Sequence, residues 1–267
     1  TSKTKAIIPV HFAGRSADMK SLFQLAKNKN LRIIEDAAHA LPSTYCKKLI
    51  GTLESDVTVF SFYSNKTITT GEGGMIATRN TKIANRVTMM RLHGINRNVF
   101  DRFTSKKASW RYEIIAPGFK YNMTDIAASI GINQLKKAFL FQEKRSYIAN
   151  RYNEAFKHID LQLPPQPPLG EIHSWHLYII LLSKNANISR DNFIELMFNR
   201  GIGCSVHYIP LHLHPYWKNT YQLSKKDFPI SQDVYERCIS LPIYPTMTDF
   251  DINRVICAVK DILNEDK

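Results

Sequence analysis

The chain has 267 residues, 44% of them hydrophobic and 22% charged. That is the balance of a soluble globular protein with apolar material for a substantial core, in one large domain or two smaller ones. Its formal net charge of +13 raises the question of anionic partners, yet no helix-turn-helix, zinc-finger or RRM signature accompanies it, so nucleic-acid binding is not expected. No run of about 18 apolar residues occurs, and the opening "TSKTKAIIPV" lacks the apolar stretch of a signal peptide, so no membrane insertion is expected and the cytoplasm is the expected compartment.

In chain order, "AIIPVHF" (6–12) is a β-prone run. In "SADMKSLFQLAKNKN" the residues Met19, Leu22, Phe23 and Ala26 recur at helical spacing, behind Ser16 or Asp18 as cap. "LRIIEDAAHA" reads as a second, buried strand. Strand, helix and strand within about thirty residues make a βαβ unit, which predicts a parallel sheet with a right-handed crossover. "DVTVFSF" (56–62) and "GMIAT" (74–78) supply two more strands. "TKIANRVTMMRLHG" reads as a helix closed by Gly94 as its C′ glycine. Residues 96–118 lack periodicity and read as a long excursion, a feature often tied to function in compact domains. From Thr124 a long helical pattern with one break runs up to the proline-rich connector "LPPQPPLG". Beyond it come "WHLYIILL" as strand, "SRDNFIELMFNRG" as helix and "GCSVHY" as strand. "TDFDINRVICAVKDIL" closes as a helix, with Ile252, Val255, Ile256, Val259 and Leu263 on one face and Thr248 with Asp251 as a capping box. The expectation is an α/β domain over residues 1–145, including the start of the long helix, joined to a smaller α+β domain over 146–267.

The four cysteines (Cys46, Cys204, Cys238, Cys257) form no CxxC pair and are expected as buried thiols. His207, His212 and His214 make H-x4-H-x-H, but the intervening Pro210 and the lack of nearby carboxylates favour pocket or packing histidines over metal ligands. Tyr208, Tyr216 and Trp217 read as core or sugar-facing aromatics. Arg79, Lys82, Arg86, Arg91, Arg97, Arg102, Lys106, Lys107 and Arg111 crowd one stretch whose only acid is Asp101. Either a solvated basic surface or a phosphate-facing patch accounts for them.

In parallel sheets ligands gather at the carboxyl ends of the strands. Asp36 ends one predicted strand and Ser61 lies at the end of another. A partly buried carboxylate needs a cation or hydrogen-bond donors, so Asp36 is either a capping or salt-bridged group or a ligand contact. Lys66 stands between a strand and the glycine-rich "GEGG". It is either a surface lysine in a turn or a desolvated amine whose lowered pKa suits it to a Schiff base with an aldehyde. Together, an acid, a serine and a lysine at strand ends suit one ligand with a cationic ring nitrogen, a phosphate and an aldehyde; pyridoxal phosphate is such a ligand.

"EDAAHA", "SDVTVFSFYSNKTITTGEGGMIAT", "LHGI", "GFKYNMTDIAASIG", "WHLYII", "VHYIPLHLHPYW" and "SLPIYPTMTDFD" resemble, in order and spacing, the DegT/DnrJ/EryC1/StrS family of pyridoxal-phosphate-dependent sugar aminotransferases. The resemblance covers almost the whole chain and implies the type I, aspartate aminotransferase-like α/β fold: a partial large domain with a mixed sheet, and the small C-terminal domain. It implies that Lys66 bonds the cofactor aldehyde and shuttles the substrate proton, and that Asp36 keeps the pyridine nitrogen protonated. His39 would lie beside the ring and Ser61 would hydrogen-bond the phosphate. Asn122, in "KYNMTD", would reach the cofactor phosphate of the partner subunit, which implies a homodimer. Family members with histidine in place of the lysine perform dehydration; this chain has Lys66, which favours amino transfer. The implied donor is glutamate and the implied acceptor a nucleotide-linked keto-deoxysugar, in surface polysaccharide biosynthesis. "VHYIPLHLHPYW" would line the acceptor pocket.

Family members begin with a further strand and helix set, carrying a glycine/threonine phosphate turn and a residue that stacks on the ring. Nothing of that kind precedes "TSKTKAIIPVHFAG". Two expectations follow: a split enzyme whose N-terminal segment is a separate polypeptide, or a truncated, non-catalytic remnant.

Overall fold

The computed structural model describes residues 1–96 and 112–264. The chain divides into two compact units, residues 1–12 with 16–138, and residues 13–15 with 139–267. In the first, strand β1 (Ala6–Ile7), helix α1 (Met19–Lys29) and strand β2 (Arg32–Asp36) form the predicted parallel pair and its crossover. The Asp18 side chain accepts from Ser21 N at the start of α1, and Asn30 closes it in the left-handed conformation at φ 51°. A short hairpin, β3 (Thr44–Tyr45) and β4 (Lys48–Leu49), follows, then β5 (Val57–Ser61) and β6 (Gly74–Ala77). The sheet order is β1-β2-β5-β6. β5 runs parallel to β2 and β6 antiparallel to β5, so the sheet is mixed.

Alternation along β2 and β5 sets the two faces of this sheet. Ile33 and Glu35 on β2 and Thr58 and Phe60 on β5 are buried; the Glu35↔Thr58 pairing places them on one face. There Met19 and Ala26 of α1 join Ile33 and Phe60 in the core. Asp36, Val59 and Ser61 therefore emerge on the opposite, more open face.

Helix α2 (Thr81–Met90) starts at Asn80, whose side chain accepts from Lys82 N and Ile83 N, and ends at Arg91 as C-cap. Gly94 is thus not its C′ glycine. Its φ of +70° and the backbone of Ala116 decide its identity, because a Cβ there would lie 1.9 Å from Ala116 O. The expected excursion from 96 to 118 falls largely on residues outside those described, as do Arg97, Arg102, Lys106, Lys107 and Arg111 of the basic stretch. Thr124 caps helix α3 (Asp125–Leu135) through Ala127 N, and the pattern breaks once before helix α4 (Ala138–Phe156).

The second unit is built on a three-stranded antiparallel sheet of β7 (Leu161–Gln162), β8 (Tyr178–Leu182) and β9 (Cys238–Leu241). Helix α5 (Arg190–Asn199) starts at Ser189, α6 (Pro215–Tyr221) and α7 (Pro229–Arg237) follow, and α8 (Asp249–Asn264) ends the described chain. Thr248 and Asp251 form the predicted capping box: Thr248 N and Oγ1 donate to Asp251 Oδ2 at 2.9 and 2.7 Å, and Asp251 N donates to Thr248 Oγ1 at 3.2 Å. Ile252, Val255, Ile256 and Val259 of α8 are buried with Ile262, while Leu263 packs at the edge. Residues 203–208 do not form the expected strand; they contribute one bridge, Ser205 to Ser240. Two cysteines also depart from expectation. Cys46 is exposed in the β3–β4 turn at φ 49°, and Cys257 is exposed because it lies off the apolar stripe of α8.

His173 in this unit yields a pH prediction. Its ring stacks on Trp175 at 3.9 Å and its Nδ1 accepts from Trp175 N at 2.9 Å, a bond that a proton on Nδ1 would abolish. Burial, and then the nearby Arg15, hold its pKa down at about 3 against an ordinary 6.5. Over that interval the unfolded chain binds more protons than the folded one. The stability contributed by neutral His173 is therefore complete above pH 6.5 and is lost as the pH falls toward 3. Urea unfolding midpoints measured from pH 7 to pH 4 should fall more steeply for the natural chain than for His173→Gln, which keeps an acceptor but does not titrate.

Candidate active site

The site residues lie where β2 and β5 end. Asp36 is stitched on both sides: its N–H donates to Pro9 O at 2.8 Å and its carbonyl accepts from His11 N at 3.0 Å. Ala37 N then donates to Val59 O at 2.8 Å. The Asp36 carboxylate accepts from Ala38 N at 3.0 Å and stays partly open. Three residues on, His39 is buried, with its ring 6.0 Å from that of Phe12. Ser61, the last residue of β5, pairs with Gly74 and accepts from Tyr63 N at 3.4 Å.

Lys66 sits in the turn after β5, half-buried, its N–H donating to Tyr63 O at 3.0 Å. The turn is clamped on both flanks. Thr67 Oγ1 donates to Leu41 O, Ile68 is buried, Thr70 N donates to Phe62 O at 2.9 Å, and Phe62 N donates to Gly73 O at 2.8 Å. Gly73, at φ +155°, leaves room for Thr70 Oγ1, which a Cβ would approach to 2.4 Å. Burial pushes the Lys66 ammonium pKa below its ordinary value, and the Asp36 carboxylate opposes that shift. Asp36 and Lys66 are therefore brought within electrostatic reach of each other at the end of the sheet. A buried-enough amine, a carboxylate, a ring and a serine hydroxyl are the donor set that suits a planar aldehyde with a protonated ring nitrogen and an anionic tail.

Asn122 lies in the loop before α3 rather than at a strand end. It is exposed, two residues before the cap of α3, on the wall of a cavity of about 1180 Å³. Lys66, Asp36, His39 and Ser61 are not among the residues lining that cavity. Its walls include Val59 and Phe60 of β5, Thr70 and Glu72 to Gly74 at the end of the Lys66 turn, Met75 and Ile76 of the edge strand β6, α2 with Arg91, the segment through Phe119 and Tyr121, and α3.

In the second unit the three spaced histidines each have a partner of their own. His207 Nδ1 meets Ser240 Oγ at 2.7 Å, buried His212 Nε2 meets Gln232 Oε1 at 3.0 Å, and His214 Nε2 meets Ile209 O at 3.2 Å. Tyr216, Trp217 and Tyr221 form an exposed aromatic row on α6, with successive ring centroids 5.2 and 5.8 Å apart. Sequence reasoning missed the buried pair His11 and Glu35 beneath the site. The signal available was an acid two positions after Ile33 in a predicted buried strand, hence on the same face.

The sequence profile of the DegT/DnrJ/EryC1/StrS aminotransferase family matches residues 1–260. The chain is 50% identical over 268 residues to an uncharacterized protein, MJ1066, of Methanocaldococcus jannaschii, covering 100% of this chain and 69% of the relative. It is 41% identical over 265 residues to SpsC of Bacillus subtilis, a spore coat polysaccharide biosynthesis protein, covering 98% of this chain and 68% of that one. Among solved structures, the putative sugar aminotransferase Spr1654 from Streptococcus pneumoniae in its PMP-form superposes with a TM-score of 0.91 at 30% identity, over 100% of this chain and 71% of that chain. Its PLP-form gives 0.89 at 30% identity, over 100% and 70%. No helix among the described residues is long and apolar enough to cross a membrane. With its mixed sheet, its helices and a lysine and an aspartate at the strand ends, the chain belongs to the DegT/DnrJ/EryC1/StrS family of pyridoxal-phosphate-dependent aminotransferases, of fold type I.

Proposed function

We propose that the chain carries the lysine side of a sugar aminotransferase site, moving an amino group from glutamate to a nucleotide-linked keto-deoxysugar for a cytoplasmic step of surface polysaccharide synthesis. The observation that carries the reading is the half-buried Lys66, its ammonium disfavoured by burial and within electrostatic reach of the Asp36 carboxylate. Lys66 would hold the aldehyde of pyridoxal phosphate, Asp36 its ring nitrogen, His39 the ring and Ser61 the phosphate. When bound, the cofactor supplies an electron sink and carries the amino group between donor and acceptor. Asp36 keeps a proton on the ring nitrogen through its charge. Lys66, once its amine is free, takes the proton from the substrate carbon and returns it, a task suited to an amine whose pKa burial has lowered. The name of SpsC supports a polysaccharide setting. In this reading the cofactor belongs to a large domain, residues 1–145, and "VHYIPLHLHPYW", in a small domain over 146–267, contacts the acceptor sugar.

A homodimer is part of the proposal, with Asn122 reaching the neighbouring subunit's cofactor. The exposed apolar wall around Asn122, with Met75, Ile76 and Ile126 at 52%, 40% and 78% exposure, supports coverage of this face in the assembled protein. The same exposure favours a second reading, a subunit of a split enzyme that needs a further polypeptide before it binds cofactor. The experiment is a half-reaction: pyridoxal phosphate is added, glutamate follows, and the cofactor spectrum and 2-oxoglutarate are recorded before keto-sugar nucleotides are supplied. The proposal expects glutamate to bleach the spectrum with one 2-oxoglutarate per site, and a keto-sugar nucleotide to restore it. Cofactor binding without any response to glutamate or to keto-sugars contradicts it; no cofactor binding at all by the folded chain favours the second reading.

A further inference from the structure

His11 and Glu35 are both fully buried, and His11 Nε2 lies 2.8 Å from Glu35 Oε2. The other Glu35 oxygen accepts from Thr58 Oγ1 at 2.9 Å and from Ser55 Oγ. His11 Nδ1 accepts from Ala17 N at 3.1 Å, so the ring's proton is on Nε2 and is donated to the carboxylate. Burial pushes the Glu35 pKa up, but the hydrogen bonds from His11, Ser55 and Thr58 outweigh it and hold the carboxyl below its ordinary range. A carboxylate buried this deeply persists only because its acceptor positions are filled.

The location of this pair gives it a role. β1 has only two ladder residues, Ala6 and Ile7, and Pro9 has no N–H to extend the ladder. The chain nevertheless returns to β2 through the bridge from Val10 to Asp36, with His11 N donating to Asp36 O. His11 therefore grips the end of β2 twice, by its backbone at Asp36 and by its ring at Glu35. Because strand side chains alternate, anchoring Glu35 on the core face fixes the direction in which Asp36 leaves on the other. The residue after His11 is Phe12, whose ring faces that of His39.

We propose that the buried His11–Glu35 pair is a positioning device for Asp36, holding the end of β2 so that the Asp36 carboxylate faces Lys66. The inference rests on the reading of Asp36 as the carboxylate of the cofactor site, but its test does not need the cofactor. The probe is the Lys66 amine in the chain without cofactor, titrated by competitive acetylation and read at the Lys66 peptide by mass spectrometry. Asp36 raises the Lys66 pKa, so Asp36→Asn should move the Lys66 midpoint down. Glu35→Gln should move it down by a smaller amount, and the double variant should match Asp36→Asn alone. That non-additivity separates action through Asp36 from a direct field of Glu35, which would add. Circular dichroism checks that each variant is folded. Should Glu35→Gln fail to fold, Thr58→Val removes one donor from the carboxylate and should give the same shift to a lesser degree. An unchanged Lys66 midpoint in the folded Glu35 or Thr58 variant, an additive double variant, or no shift in Asp36→Asn overturns the inference. The cofactor reading is judged separately, by the glutamate half-reaction of Asp36→Asn, and can fail while the titration result stands.

Discussion

Lys66→Ala is expected to abolish the visible absorption that pyridoxal phosphate acquires on the protein and to stop amino transfer. Both losses come from two properties of one side chain. As an amine it is the group at the strand ends that can bond an aldehyde, and burial there pushes its pKa below the ordinary lysine value. As a base it is placed to move the substrate proton, and loss of a positioned acid–base group alone costs roughly 10²–10⁴-fold in rate. Lys66→Arg should fail as completely, because a guanidinium keeps the charge but remains protonated and cannot act as nucleophile or base. Absorption spectra and turnover with glutamate, measured side by side, check both halves. The pH dependence follows from the sign of the shift: adduct formation by the natural chain should rise with pH through a midpoint below that of an exposed lysine, since only the unprotonated amine reacts.

Asp36→Asn should separate binding from chemistry. The amide keeps the size of the side chain and can still accept from Ala38 N, but it loses the negative charge that stabilises a proton on the ring nitrogen. A hydrogen bond to a charged group contributes about 1.5–3 kcal/mol, which is roughly a 10- to 150-fold loss in the glutamate half-reaction. The visible adduct should still form, because it needs the amine and the aldehyde alone. An unchanged half-reaction rate in this variant would return Asp36 to a structural role.

How far the sequence discloses this molecule depends on how local each signal is. The βαβ start, the Thr124 cap and the Thr248/Asp251 capping box are encoded within a few residues, and they appear where periodicity and cap chemistry place them. Gly94 misleads for the opposite reason. A glycine after a helix usually serves the helix alone, whereas this one, although its N–H donates to Met89 O at 3.1 Å, also yields space to Ala116, more than twenty positions away. Residues 203–208 look like a strand from composition, yet their one sheet contact is a single bridge to Ser240, and single-sequence patterns do not see partners. The site is partly legible. The strand-end positions of Asp36 and Ser61 follow from the β-prone runs that precede them, and the turn around Lys66 from its glycines. The clamps that hold that turn, Thr67 to Leu41 and Thr70 to Phe62, are tertiary and leave no local mark. The same holds for the His11–Glu35 pair, whose members are 24 positions apart.

The measurement that bears most directly on the central claim is chemical trapping at Lys66. The folded chain is mixed with pyridoxal phosphate, reduced with borohydride, digested and mapped by mass spectrometry. The account predicts one phosphopyridoxyl group per chain, on the peptide that carries Lys66, and none on that peptide in Lys66→Ala. A label spread over surface lysines with Lys66 unmodified, in a chain that binds the cofactor, would contradict it.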